Sequence, residues 1–199
     1  LTDTNDQTHR GTQWGENVTH GPTTGKGPLC SDAWLHLYEG LGVALLHNPR
    51  GAAFKDPHAW EAHAKVERRK GLKVGTRTLM TRRRVAYVPP TTEQLVTVAI
   101  LLAFDVYDPR RDGDRWGVWA VNWLSGDERA ANAVYTAIGD GVDLNLATTY
   151  AAYAAYTSTD AADDAATAAA DAAITADAAK WVKKWVKHVD AVACAVFGY

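Results

Sequence analysis

Within nine residues, Cys30-Ser-Asp-Ala-Trp34-Leu-His36-Leu-Tyr38 brings together a thiol, an imidazole and a phenol. Cys30 with His36 could form a nucleophile–base pair, or supply two ligands of a zinc site. Neither chemistry is completed nearby. No second cysteine pair supplies the remaining zinc ligands, and nothing marks an oxyanion site or an acid to orient the imidazole. The bland alternative is that Trp34 and Tyr38 pack in a core while His36 makes a local hydrogen bond. A second group holds His47, His58 and His63 with Glu61 and Glu67, but His58 and His63 are five residues apart and no HExxH pattern occurs. GxxxxGK[ST], GxGxxG and GxSxG patterns are also missing, so no metal or cofactor is expected.

The basic residues are the more promising group. Residues 65–84 hold nine basic side chains and one acid, whereas residues 85–179 hold four basic and fourteen acidic ones. Arg68, Arg69, Lys73, Arg77, Arg82, Arg83 and Arg84 could build a positive face that neutralises the phosphates of a nucleotide or a nucleic acid. The bland reading is self-neutralisation, because the net charge is only −2. Aromatic residues are sparse in this run, which disfavours a single-strand stacking platform.

The elements that would position these groups fall into two halves. Trp60, Ala62, Ala64 and Val66 alternate with polar residues, as do Leu72, Val74, Thr76 and Thr78 after Lys70-Gly71. This period of two predicts a hairpin with a basic outer face, joined by a third strand over residues 82–88. Short strands are expected around residues 12–19 and 33–37, and a helix over residues 42–47 that stops at Asn48-Pro49. Beyond Pro89-Pro90 the period becomes helical. Thr91-Thr-Glu-Gln94 fits a capping box, and the apolar residues from Leu95 to Val106 surround the helix, which marks a central core helix. Trp116, Trp119 and Trp123 share one face of the next helix. The fold class expected is therefore α+β, with a small antiparallel sheet head over residues 1–90 and a helical region over residues 91–199.

The alanine-rich segment 147–179 has high helix propensity, and its aspartates precede the lysines from Lys180 onward, as the helix dipole favours. A break is expected at Thr157-Ser-Thr-Asp160, because one unbroken helix to Val196 would run roughly 80 Å at the rise per residue of an α-helix. An apolar stripe through Ile174, Trp181, Trp185 and Val189 predicts a docking face for self-association. No apolar run approaches the roughly 18 residues of a membrane span, no leader pattern opens the chain, and two cysteines make no disulfide framework. These features point to two free thiols and a cytoplasmic location.

Trp14-Gly15, Thr19-His20, Cys30-x3-Trp34-Leu35-His36-x-Tyr38, Gly71–Gly75, Thr91–Gln94 and Trp123–Gly126 together resemble an uncharacterised family found in tailed bacteriophages and bacterial genomes. The resemblance covers about the first 130 residues and the alanine-rich character of the tail. It implies a phage-encoded or prophage-encoded protein and no particular reaction. The leading expectation is a non-enzymatic, self-associating protein with a phosphate-bearing ligand on the basic face. The alternatives are a nucleotide-using transferase of the ADP-ribosyltransferase kind, with His36, Tyr38 and either Glu61 or Glu67 in one cleft, and a virion structural protein.

Overall fold

The structure is a computed structural model and describes residues 1–112, 114–127, 129–130, 133, 146–157, 162–179 and 183–198. The chain is α+β and divides into two compact units, Leu1–Pro89 and Pro90–Gly198.

The first unit, the head, contains three small antiparallel sheets. Strands β1 (Gln7–Thr8) and β2 (Thr12–Gln13) pair with each other. A second sheet has the order β3-β8-β5, with β3 at Thr19–His20, β5 at Ala59–Ala64 and β8 at Leu79–Val85. A third has the order β4-β7-β6, with β4 at Leu35–Leu37, β6 at Arg68–Lys70 and β7 at Lys73–Thr76. The hairpin expected between residues 60–66 and 72–78 is therefore divided. Gly71, at φ +55°, makes a tight turn that joins β6 to β7, and Lys70 faces Lys73 across it. A tight turn sets the register only of the strands that flank it. β5 instead pairs with β8 in the other sheet, where Glu61 faces Arg83 and Trp60 faces Arg84.

Helix α1 (Leu41–Gly51) buries Val43, Ala44, Leu45 and Leu46 and runs through Pro49, beyond the stop expected at Asn48-Pro49. In the last turn a proline removes only one ladder bond. The Asn48 side chain then closes the exit by bonding both the N–H and the carbonyl of Phe54. On β7 a Cβ added at Gly75 would lie 2.3 Å from Cδ1 of the buried Leu29, which would have to shift to admit it.

The second unit is built around α2 (Thr92–Phe104), whose capping box has both reciprocal bonds: Gln94 N–H to Thr91 Oγ1 at 3.2 Å and Thr91 N–H to Gln94 Oε1 at 2.9 Å. Val96, Val98, Ala99, Ile100, Leu102 and Ala103 of α2 are fully buried. After the short α3 (Pro109–Asp112), α4 (Asp114–Ser125) buries Trp116, Trp119 and Trp123 on one face, as their spacing predicts. Helices α5 (Leu146–Thr157), α6 (Ala162–Ala179) and α7 (Lys183–Phe197) pack on α2. The expected break at residues 157–160 lies between α5 and α6, and residues 158–161 fall outside the described residues. No helix among the described residues is long and apolar enough to cross a membrane.

Candidate functional site

The head holds a partly open cavity of about 330 Å³ to which both three-stranded sheets contribute walls. Trp60 and Ala62 come from β5, Leu79 and Thr81 from β8, Leu37 from β4, and Tyr38 and Leu41 from the passage into α1. The N-terminal segment closes another side with Thr2, Thr8 and Trp14. A bridge between Thr2 and His58 ties that segment to the sheet beside β5.

Several polar side-chain atoms of the wall are satisfied from within the protein. Trp14 Nε1 donates to Thr8 Oγ1 at 3.1 Å, and Trp60 Nε1 to Thr2 Oγ1 at 3.2 Å. Thr81, which is buried, donates its hydroxyl to the Gly15 carbonyl at 2.5 Å. The Tyr38 hydroxyl bonds His47 Nδ1 at 2.9 Å. Burial, with a smaller contribution from the Cys30 sulfur, pushes the Tyr38 phenol well above its usual range. A buried polar group that already has its partner gains little from a ligand, so the interior favours an apolar or aromatic occupant. A cavity of this size with aromatic walls has the character of small-molecule sites.

Two ion pairs stand at the lining. Glu61 accepts from Arg83 Nε at 2.7 Å, and the pair is open to solvent, with side-chain exposures of 43% and 75%. The hydrogen bond and charge of Arg83 hold the Glu61 carboxyl below its ordinary value, with further help from His63 and Arg82. Glu39 takes both terminal nitrogens of Arg69, and that bidentate pair is less exposed. Strand register shifts between Glu61 and Ala62, so Arg82 has no cross-strand partner while Arg83 faces Glu61. Such a bulge re-aims successive side chains.

The residues singled out in the sequence have unequal fates. His36, Tyr38 and Glu61 all line the cavity. Glu67 does not, because it accepts from Arg77 Nε at 2.8 Å and from the Arg77 backbone N–H at 3.3 Å. His36 is exposed, and its Nε2 hydrogen-bonds the Leu29 carbonyl, the local bond that the bland reading expects. The seven basic residues do not form one sheet face: Arg68, Arg69 and Lys73 belong to one sheet and Arg82, Arg83 and Arg84 to another. Arg69, Arg77, Arg83 and Arg84 pair with Glu39, Glu67, Glu61 and Asp6, all acids of the head itself. Arg68, Lys73 and Arg82 have no carboxylate partner among the described residues, and Arg68 lies over the Trp34 ring at 5.9 Å. Neither Cys30 nor Cys194 is in a disulfide. Among the described residues, no group of three His, Cys, Asp or Glu side chains is placed to hold a metal ion.

Of the residues expected to mediate self-association, Val189 is fully buried within its own unit and Ile174 is partly buried. Trp181 and the side chain of Trp185 lie outside the described residues. Ile174 lies on α6 and Val189 on α7, and among the described side chains of α7 Val189, Ala193 and Phe197 are buried. Most alanines of α5 and α6 among the described side chains are already covered: Ala151, Ala152, Ala154, Ala169, Ala172 and Ala173 are fully buried where these helices pack on each other and on α2.

Sequence reasoning missed Trp14, Trp60, Thr2 and Thr8 as cavity walls and Asp6 as a hub. Asp6 Oδ1 lies 2.8 Å from His58 Nδ1, and Arg84 Nη2 donates to both Asp6 oxygens at 2.7 and 2.6 Å. Arg84 also lies over the Trp60 ring at 5.4 Å. Asp6 and Arg84 are 78 residues apart, and no spacing rule reaches across that distance. Comparison with protein-family models, with curated proteins and with solved structures finds no match to this chain.

Proposed function

We propose that this is a small-molecule-binding protein of phage or prophage origin, whose head holds an organic ligand with a flat aromatic body. The observation that carries this reading is the aromatic-walled cavity of about 330 Å³, in which Trp14, Trp60 and Tyr38 have their polar atoms engaged inside the protein. The reading is non-catalytic. Tyr38 is held neutral against His47, His36 is turned to the Leu29 carbonyl, and Glu39 and Glu61 are held by arginines. General acid–base chemistry needs a group free to exchange a proton near the working pH. The resemblance to phage and prophage proteins supports the origin. Self-association would have to use surfaces other than the alanine faces that pack on α2.

The test is a fragment screen by ligand-observed NMR on the wild type and on Ala62→Phe, which fills the cavity. Flat aromatic fragments should bind the wild type and be lost from a folded variant. Fragments that bind both equally, or neither, would reject the reading.

A second reading, a nucleotide-using transferase, is favoured by one observation: His36, Tyr38 and Glu61 share the cavity. It predicts nicotinamide release from NAD that stops in Tyr38→Phe and Glu61→Gln. No release by the wild type would remove it.

A further inference from the structure

Resting on the small-molecule reading above, we infer that the ligand of the head cavity is a nucleoside monophosphate, whose phosphate takes Arg83 from Glu61. Three observations converge. The cavity walls present tryptophan and tyrosine rings, which suit a purine or pyrimidine. Glu61, a lining residue, is flanked by two arginines, and the bulge leaves Arg82 without a carboxylate of its own among the described residues. The Glu61–Arg83 pair is the weaker of the two at the cavity: it is made through Nε alone and its arginine is 75% exposed, whereas Glu39 and Arg69 form a fork whose arginine is 39% exposed.

The exchange follows from those geometries. An exposed ion pair contributes little to stability and opens readily. A phosphate carries more charge and more acceptor oxygens than the carboxylate, and a guanidinium offers it two parallel N–H groups. Arg83 would swing from one acceptor to a stronger one, with Arg82 beside it, while Glu61 returns to solvent. Glu61, which lines the cavity, therefore acts as a placeholder that keeps Arg83 beside it. It also makes the site selective, because a ligand without an anionic group gains nothing by opening the pair. A cationic ligand would use Glu61 itself, so the sign of the Glu61 effect separates the two chemistries.

The experiment is calorimetric titration with AMP, GMP, CMP and UMP and with the matching nucleosides, on the wild type, Glu61→Gln, Arg83→Ala and, as a check on folding, Arg83→Lys. At least one monophosphate should bind about tenfold more tightly than its nucleoside, the share expected for hydrogen bonds to a charged group. Glu61→Gln should tighten that monophosphate about two- to fivefold, the worth of the pair it removes. Arg83→Ala should erase the preference for the phosphate, and Arg83→Lys should retain part of it. Equal binding of nucleoside and monophosphate, weaker binding in Glu61→Gln, or binding of none of the eight compounds would overturn the inference. Fragment binding that persists in any of these cases would leave the small-molecule reading intact, and its loss in the screen would remove both.

Discussion

Replacing Asp6 by Asn keeps the shape of the side chain and removes the charge from the hub that ties the N-terminal segment to β5 and β8. Asp6 sits at φ +60°, a backbone state that Asn tolerates as well as Asp, so the substitution adds no strain. What is lost is the acceptor strength toward Arg84 and His58, whose contacts lie at 2.6–2.8 Å. The Asp6 side chain is 24% exposed and that of Arg84 48%, so the charge-assisted bonds are worth less than fully buried ones. About 2 kcal/mol at neutral pH is expected for the set. For a unit of this size that corresponds to a fall in Tm of about 10 °C. Burial alone would raise the Asp6 carboxyl, but the hydrogen bonds from His58 and Arg84 and the charge of Arg84 outweigh it and hold the carboxyl below its ordinary value. A depressed carboxyl stabilises the folded state above its unfolded value of about 3.9, and that stabilisation disappears as pH falls through the folded value. The gap between wild type and Asp6→Asn should therefore be full at pH 7 and close under acid conditions. Thermal melts at pH 7 and at pH 3 or below, followed by tryptophan fluorescence, measure it. Equal midpoints at pH 7, or a deficit that persists unchanged in acid, would refute the assignment to charge.

Gly75→Ala should destabilise the head by about 1–3 kcal/mol in urea titration, because its Cβ would meet Leu29 Cδ1 at 2.3 Å and Leu29 is buried. Thr91→Ala should cost about 1 kcal/mol, seen as a lower urea midpoint with unchanged slope, because it removes one arm of the capping box. Ala169→Leu, at a fully buried position on α6, should lower the midpoint of thermal unfolding by overpacking, to the same extent at all protein concentrations. A cost that varies with concentration would place that face between subunits instead.

Much of the helical unit is legible in the sequence because its signals are local. The box at Thr91–Gln94 is a four-residue pattern, and the apolar surround from Leu95 onward needs only the helical period to declare a central helix. The tryptophans at 116, 119 and 123 announce their common face by spacing alone. Alanine richness declares helix equally well, yet it does not say what covers the helix. A small side chain permits close approach by any neighbour, so only the packed structure identifies α2 as the occupant.

In the head the balance reverses. Alternation at 60–64 and 72–76 is sufficient to mark strands, and Gly71 to mark the turn between β6 and β7. Periodicity carries no information about which strand pairs with which, since any two alternating strands present compatible edges. The partition into two sheets, the bulge opposite Glu61 and the cavity between the walls come from long-range pairing. Charge counting showed a basic run. The fold decided that Arg69, Arg77, Arg83 and Arg84 each meet an acid of the same unit, because a carboxylate's partner is set by distance in space and not by distance along the chain.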